Sequence, residues 1–156
     1  LRETEEEIAA ATLKIVEDFY YNEAPLKPGV REYLDRLRAE NIPMVIATSS
    51  GRPHVEAALR RLGVLDYFGK IFTCSEVGEG KTRPLIYEKA GEYIGGDFKD
   101  IYVFEDAIHA LETAKQAGFY TVAVYDPSAD KDWKQLQEEA DISVTDMRQL
   151  IADKEI

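Results

Sequence analysis

The chain has 156 residues, 45% hydrophobic and 31% charged, which fits one soluble globular domain with a sizeable core. Its 30 acidic and 19 basic side chains give a formal net charge of −11, so nucleic-acid phosphates and anionic membranes would repel it, and we exclude both as partners. No apolar run has membrane-spanning length, and the charged start has no signal-peptide pattern. The single cysteine, Cys74, forms no internal disulfide, which favours a cytoplasmic location.

Two helices are predicted before the first strand. An S/T-x-x-E capping box from Thr4 to Glu7 opens a segment with apolar residues at helical spacing, which predicts an amphipathic helix over 4–21. Pro25 and Pro28-Gly29 then interrupt the chain, and the next apolar residues, from Val30 to Leu37, predict a second helix.

Strands and helices alternate through the rest of the chain. Short apolar runs predict five strands, at 44–47, 70–73, 101–104, 120–124 and 142–144. The intervening segments have helical periodicity and end at glycines, apart from a helix near 130–140, and a terminal helix starts at Thr145. This alternation predicts an α/β fold, a Rossmann-like parallel sheet flanked by helices.

Ligands of open α/β sheets bind beyond the carboxyl ends of the strands, so the residues that follow each strand are the candidates. The first strand leads into Thr48-Ser49-Ser50-Gly51, whose hydroxyls and backbone amides could hold an anion ahead of a helix. An ordinary N-cap cluster is the alternative. After the second strand, Lys81 lies on a glycine-rich loop, where it could reach a phosphate or simply be solvated.

The third strand ends in two adjacent carboxylates, Glu105 and Asp106. Burying such a pair is costly without a positive partner, and Mg²⁺, which prefers oxygen ligands, would serve. Asp106 could instead cap the next helix, but Glu105 has no capping role. We therefore favour a metal site. His54, His109 and Cys74 are interpreted as structural.

These strand ends, in this order, resemble the second, third and fourth motifs of the haloacid dehalogenase superfamily. The matching segments are Thr48-Ser49-Ser50, the Gly80-Lys81 helix start with its Pro84, and Val103-Phe104-Glu105-Asp106-Ala107 followed by Ala114–Gly118. The branch with β-phosphoglucomutase and sugar-phosphate phosphatases is the most similar, and the resemblance covers about residues 25–150.

The resemblance implies a role for each candidate residue. Thr48 and the backbone amide of Ser49 would bind the transferring phosphoryl group, and Lys81 would neutralise charge between that group and the nucleophile. Glu105 and Asp106 would hold Mg²⁺ in a phosphohydrolase or phosphomutase of small phosphorylated metabolites. Residues 1–22 would be the last helix of an α-helical cap, and 23–156 the α/β core without its first strand.

This sequence departs from the family pattern in two places. Thr82 and Leu85 replace a Pro and an Asp that usually follow Gly-Lys. More seriously, the Asp-x-Asp-Gly-Thr motif that supplies the nucleophile has no match, so we expect it upstream of Leu1. In the family its strand lies between those ending at Thr48 and Phe104. We therefore expect the chain alone to be inactive and unstable as a monomer, with the gap filled by an N-terminal segment or self-association, or else closed by direct pairing.

Two other functions have to be weighed. Ser75-x4-Gly80-Lys81-Thr82 differs from a nucleotide-binding P-loop only in its first residue, which would make the chain an NTPase. Pro84, however, interrupts the helix that should continue from Lys-Thr. The chain could also be a non-catalytic fragment that binds phosphate or metal, as the missing nucleophile motif would allow.

Overall fold

The computed structural model describes residues 3–152. Helix α1 spans Glu5–Asn22 and begins with the predicted capping box, in which the Thr4 amide donates to Glu7 and the Glu7 amide donates to the Thr4 hydroxyl. Helix α1 packs against α3, Arg52–Arg61. None of its residues is buried, and the apolar side chain of Ile15 is 70% exposed. No described helix is long and apolar enough to cross a membrane.

The remaining elements follow the predicted alternation. The strands are β1 Val45–Thr48, β2 Lys70–Thr73, β3 Tyr102–Glu105, β4 Tyr120–Val124 and β5 Ile142–Val144. The other helices are α2 Val30–Ala39, α4 Cys74–Val77, α5 Leu85–Ile94, α6 Ile108–Gln116, α7 Trp133–Glu139 and α8 Arg148–Ala152. Three short 3-10 turns and the four-residue α4 are the elements that the sequence pattern did not predict.

The strands are parallel, as predicted, but they form two separate sheets. One sheet pairs β1 with β2, with Thr48 opposite Thr73 at its end. The other has the order β3-β4-β5, with Glu105 opposite Ala123. In this second sheet β4 is central, and its Val122 and Ala123 are fully buried. Every residue of β1 remains only partly buried, because this strand pairs on one side.

Helices α2 and α5 each share an apolar cluster with residues from both halves of the structure. On one face Tyr33 and Leu37 of α2 belong to a cluster with Val122 and Val144, against which Met44, just before β1, and Phe104 of β3 also pack. On the other face Ile86, Tyr87 and Ala90 of α5 share a cluster with side chains of both β1 and β3. Both clusters would have to come apart for the two strands to meet.

The space between β1 and β3 is an open cavity of about 860 Å³, which we call the interstrand slot. Residues 42–47 line one side and residues 100–106 the other. Among the described residues β1 and β3 do not pair, so the expected closure of the gap by direct pairing is wrong, while filling of the gap by an N-terminal segment or a second copy stays a prediction. The helices packed against each half keep β1 and β3 apart.

The turn before α2 brings the chain past the slot. Gly29 has a φ of +76°, in the left-handed region, and directs the chain from Lys27-Pro28 into α2. A Cβ at this position would lie 2.6 Å from the Arg148 backbone nitrogen and 2.3 Å from a carboxylate oxygen of Asp146. The turn therefore requires glycine for two reasons, its backbone conformation and the close approach of the 146–148 segment.

This geometry predicts that Gly29→Ala is more destabilising than Gly78→Ala. Gly78 also has a positive φ, +90°, but nothing lies within 4 Å of a Cβ there. Both substitutions should cost about 1–2 kcal/mol of backbone strain, and only Gly29→Ala should add about 1–3 kcal/mol of overpacking. Urea unfolding of the two variants beside the parent chain measures the difference, and equal losses would contradict it.

Candidate active site

Glu105, the last residue of β3, is the centre of the candidate site. Its side chain is 8% exposed, and its Oε1 accepts hydrogen bonds from Lys81 Nζ at 2.5 Å and from Tyr87 Oη at 2.7 Å. A carboxylate this buried needs a charged partner, because desolvation of an unpaired charge costs several kcal/mol. Lys81, itself only 19% exposed, is therefore an ion-pair partner and not a solvated loop lysine.

Tyr87 is a neutral donor in this arrangement. Burial, and then the negative charge of Glu105, raise the pKa of its phenol far above the ordinary range. The hydroxyl therefore keeps its proton at any physiological pH and donates a hydrogen bond to Glu105. Because Tyr87 lies on α5 and Lys81 on the loop before it, one segment of the chain supplies both donors to the carboxylate.

Asp106 lies beside Glu105 but has a different surrounding. Its side chain is 42% exposed and lies 3.2 Å from Lys27 Nζ, and Lys27 also pairs with Asp126, which follows β4. The hydrogen bond from Lys27, together with those from Ser128, lowers the pKa of Asp126 to about 2. Asp106 does not cap the next helix, since Ala107 is the N-cap of α6 and no side chain caps it.

Thr48 and Ser49 follow β1 at the carboxyl end of its sheet. Thr48 Oγ1 accepts a hydrogen bond from the Ser50 amide at 3.0 Å, which forms a tight turn. Gly51 is the N-cap of α3, and no side chain caps that helix. The hydroxyls of this segment are therefore not an N-cap cluster. Ser50 Oγ shares a 2.7 Å hydrogen bond with Tyr20 Oη, which ties the turn to α1.

Indirect contacts connect the first strand end to Glu105. Ser49 Oγ lies 3.6 Å from Cys74 Sγ, just after β2, and Cys74 packs against the apolar cluster that contains Tyr87. The structure thus brings Lys81 and Glu105 into direct contact and connects Ser49 to them through Cys74 and Tyr87. Among the described residues no hydrogen bond joins Thr48 or Ser49 to Lys81.

The acidic pair has oxygen donors of the kind that Mg²⁺ prefers. Within residues 3–152 no group of three or more His, Cys, Asp or Glu side chains is placed to hold a metal ion. Mg²⁺, however, commonly uses one or two protein carboxylates and takes its other ligands from water and substrate phosphate. Glu105 and Asp106 fit that pattern, and the half-exposed Asp106 is the more accessible of the two.

The sequence analysis missed Tyr87, Asp126 and the contact of Lys27 with Asp106. Tyr87 has the spacing of a helical residue, and no local signal marks its hydroxyl as a donor. Lys27 and Asp126 are 99 residues apart in the chain. Only the tertiary structure brings the three side chains to the carboxyl ends of β3 and β4.

The P-loop alternative does not match this geometry. Its first position, Ser75, lies inside α4, whereas a P-loop needs an open glycine turn there. The helix that should begin at Lys81-Thr82 begins instead at Leu85. Lys81 is directed to Glu105, away from any phosphate cradle formed by its own loop.

Comparison with known proteins gives one consistent family. Residues 2–118 match the model of the haloacid dehalogenase-like hydrolases. The chain is 32% identical over 96 residues to validoxylamine A 7'-phosphate phosphatase of Streptomyces hygroscopicus, covering 62% of this chain and 45% of the relative. It is 35% identical over 91 residues to a phosphorylated carbohydrates phosphatase of Thermotoga maritima, covering 58% and 42%. The chain thus spans less than half the length of these curated relatives.

Solved structures have the same architecture. A Thermotoga maritima protein assigned as a β-phosphoglucomutase superposes with a TM-score of 0.78 and 27% identity, over 100% of this chain and 72% of that one. A Deinococcus radiodurans hydrolase, solved with bound phosphate and sodium, superposes with a TM-score of 0.70 and 27% identity, over 79% and 56%. Family model, relatives and architecture agree that the chain belongs to the haloacid dehalogenase-like hydrolases.

Proposed function

We propose that the complete protein is a Mg²⁺-dependent phosphohydrolase of small phosphorylated metabolites, with sugar phosphates as the favoured class. The observation that carries the proposal is the buried Lys81–Glu105 pair with Asp106 beside it, at the carboxyl end of β3. The names of the relatives support the substrate class, since they include a phosphorylated carbohydrates phosphatase and a β-phosphoglucomutase of Bacillus subtilis, the latter 32% identical over 99 residues.

The charges of the site match the needs of phosphoryl transfer. Negative charge on the phosphoryl oxygens must be neutralised while the bond to the leaving oxygen breaks. Lys81 supplies a positive charge held in place by Glu105, and the Thr48-Ser49 turn supplies a hydroxyl and backbone amides. Glu105 and Asp106 would hold Mg²⁺, whose chemistry is to offset charge on the phosphoryl group.

The interstrand slot supports the further proposal that an added strand completes the sheet and carries the nucleophilic aspartate. The unpaired edges of β1 and β3 both face the slot, and each exposes backbone groups that a parallel strand would satisfy. The lining is mostly apolar, apart from an end with Lys27, Glu105 and Asp106. An apolar strand is complementary to the apolar part of this lining, and acidic residues at its end would need the Mg²⁺ held by Glu105 and Asp106 to offset their charge.

A buried tyrosine gives independent support for an occupant of the slot. Tyr33 is 1% exposed and lines the slot. Among the described residues its hydroxyl is the buried side-chain polar atom without a hydrogen-bond partner. An orphaned buried hydroxyl costs about 1–3 kcal/mol, and a backbone group of an added strand would remove that cost. An N-terminal segment of the same protein is the occupant that we favour over a second copy of the chain.

Asp106→Asn in the complete protein should abolish phosphatase activity and leave the fold unchanged. The amide keeps the shape of the side chain but loses the anionic oxygen offered to Mg²⁺. Release of inorganic phosphate from a panel of hexose phosphates measures the activity, and circular dichroism checks the fold. Asp66→Asn is the matched control, because Asp66 is 72% exposed and pairs with Arg38 in a surface contact. Full turnover in EDTA would contradict the metal requirement.

A synthetic peptide tests the slot directly. An apolar strand ending in Asp-x-Asp-Gly-Thr should raise the melting temperature of this chain and confer hydrolysis of p-nitrophenyl phosphate. The same peptide with its first Asp replaced by Asn should raise the melting temperature equally and confer no activity. A stable dimer unaffected by peptide would show that a second copy fills the slot. Cooperative melting of a monomer with ordinary turnover, without peptide, would place the nucleophile within this chain.

A further inference from the structure

Lys27 lies between two carboxylates that follow neighbouring strands. Its ammonium is 3.2 Å from Asp106, after β3, and also bonds to Asp126, after β4. All three side chains are about one-third exposed, at 32%, 42% and 28%. Lys27 itself comes from the turn before α2, so three separate segments of the chain meet in this cluster.

The two carboxylates of the cluster differ in how firmly they are held. Asp126 accepts hydrogen bonds from the Ser128 amide at 2.8 Å and the Ser128 hydroxyl at 2.5 Å, in addition to the Lys27 contact. For Asp106 the polar contact within residues 3–152 is the 3.2 Å approach of Lys27. Asp126 is therefore a fixed anchor for the ammonium, and Asp106 is the partner that Lys27 can leave.

Lys27 and a divalent cation would compete for the same carboxylate. A divalent ion attracts Asp106 about twice as strongly as an ammonium at the same distance. The ammonium can give up Asp106 at little cost, because Asp126 continues to neutralise it. If Asp126 were neutral, Asp106 would be the remaining carboxylate partner of Lys27 in the cluster, and displacement would leave the ammonium unpaired.

We propose that Lys27 is a positioning residue that holds Asp106 until a divalent cation binds, and that Asp126 then retains the lysine. This inference rests on the proposed function, since it takes Asp106 as a cation ligand. The Lys27–Asp126 pair thereby sets the affinity of the site for Mg²⁺. When no cation is bound, Lys27 also neutralises the repulsion between the Asp106 and Asp126 carboxylates.

Calorimetric titration with magnesium chloride tests the inference without any activity assay. Lys27→Met should tighten Mg²⁺ binding about two- to five-fold, because Asp106 loses a competitor of the strength of a half-exposed ion pair. Asp126→Asn should weaken binding by a similar factor, because Lys27 is then confined to Asp106. Lys27→Arg should bind Mg²⁺ nearly as the parent does. Lys134→Met, which removes a 90% exposed lysine, controls for net charge.

The double variant with Lys27→Met and Asp126→Asn distinguishes competition by Lys27 from long-range electrostatics. If Asp126 acts through Lys27, Asp126→Asn should change the Mg²⁺ affinity little in a protein that already has Lys27→Met. Additive effects of the two substitutions would show only through-space charge and would overturn the inference. Titrations are run on the complete protein, with circular dichroism as the check on folding.

The outcomes distinguish this inference from the proposed function. Equal Mg²⁺ affinity in the parent, Lys27→Met and Asp126→Asn proteins would overturn the role of Lys27 and leave the metal requirement intact. Absence of Mg²⁺ binding in every protein would overturn both. If Lys27→Met does not fold, Asp126→Asn alone decides, because unchanged binding in that variant contradicts the anchoring role of Asp126.

Discussion

The need to neutralise the Glu105 carboxylate shapes the candidate site. Glu105 ends β3 at a point where its side chain is 8% exposed, so its charge must be paired. Lys81 and Tyr87 meet this need, which fixes the loop before α5 and the start of that helix against the end of β3. Helix α5 in turn shares an apolar cluster with strands of both sheets, so the ion pair and this cluster together connect the two sheets.

The interstrand slot follows from the same packing. Helices α2 and α5 each share an apolar cluster with residues from both halves, and the unpaired edges of β1 and β3 remain apart although each would be more stable when paired. The slot, the orphaned Tyr33 hydroxyl and the charged end with Lys27, Glu105 and Asp106 are then parts of one surface. The proposed strand would meet the hydroxyl along its length and the charged side chains at its end.

Much of this site was predictable, and the limits have physical causes. Thr48, Lys81, Glu105 and Asp106 were chosen as candidates because each comes after a predicted apolar strand, where local patterns are informative. The roles inferred for them from the family stay predictions. The alternative interpretation of Asp106 as a helix cap was wrong, since its carboxylate instead pairs with Lys27. No local pattern could reveal that pairing, because it depends on how the turn before α2 packs beside the sheet.

The sequence by itself determined the elements and the family of this protein. Apolar runs of four or five residues, helical periodicity and glycine stops are short-range features, and they placed the five strands and the main helices within a few residues of the structure. Tertiary structure alone decided that the parallel strands form two sheets, that Tyr87 donates to Glu105, and that Lys27 joins Asp106 to Asp126. The side-chain contacts among them join residues that are 18 to 99 positions apart in the chain. Packing of the helices against the strands, not local preference, brings these residues together.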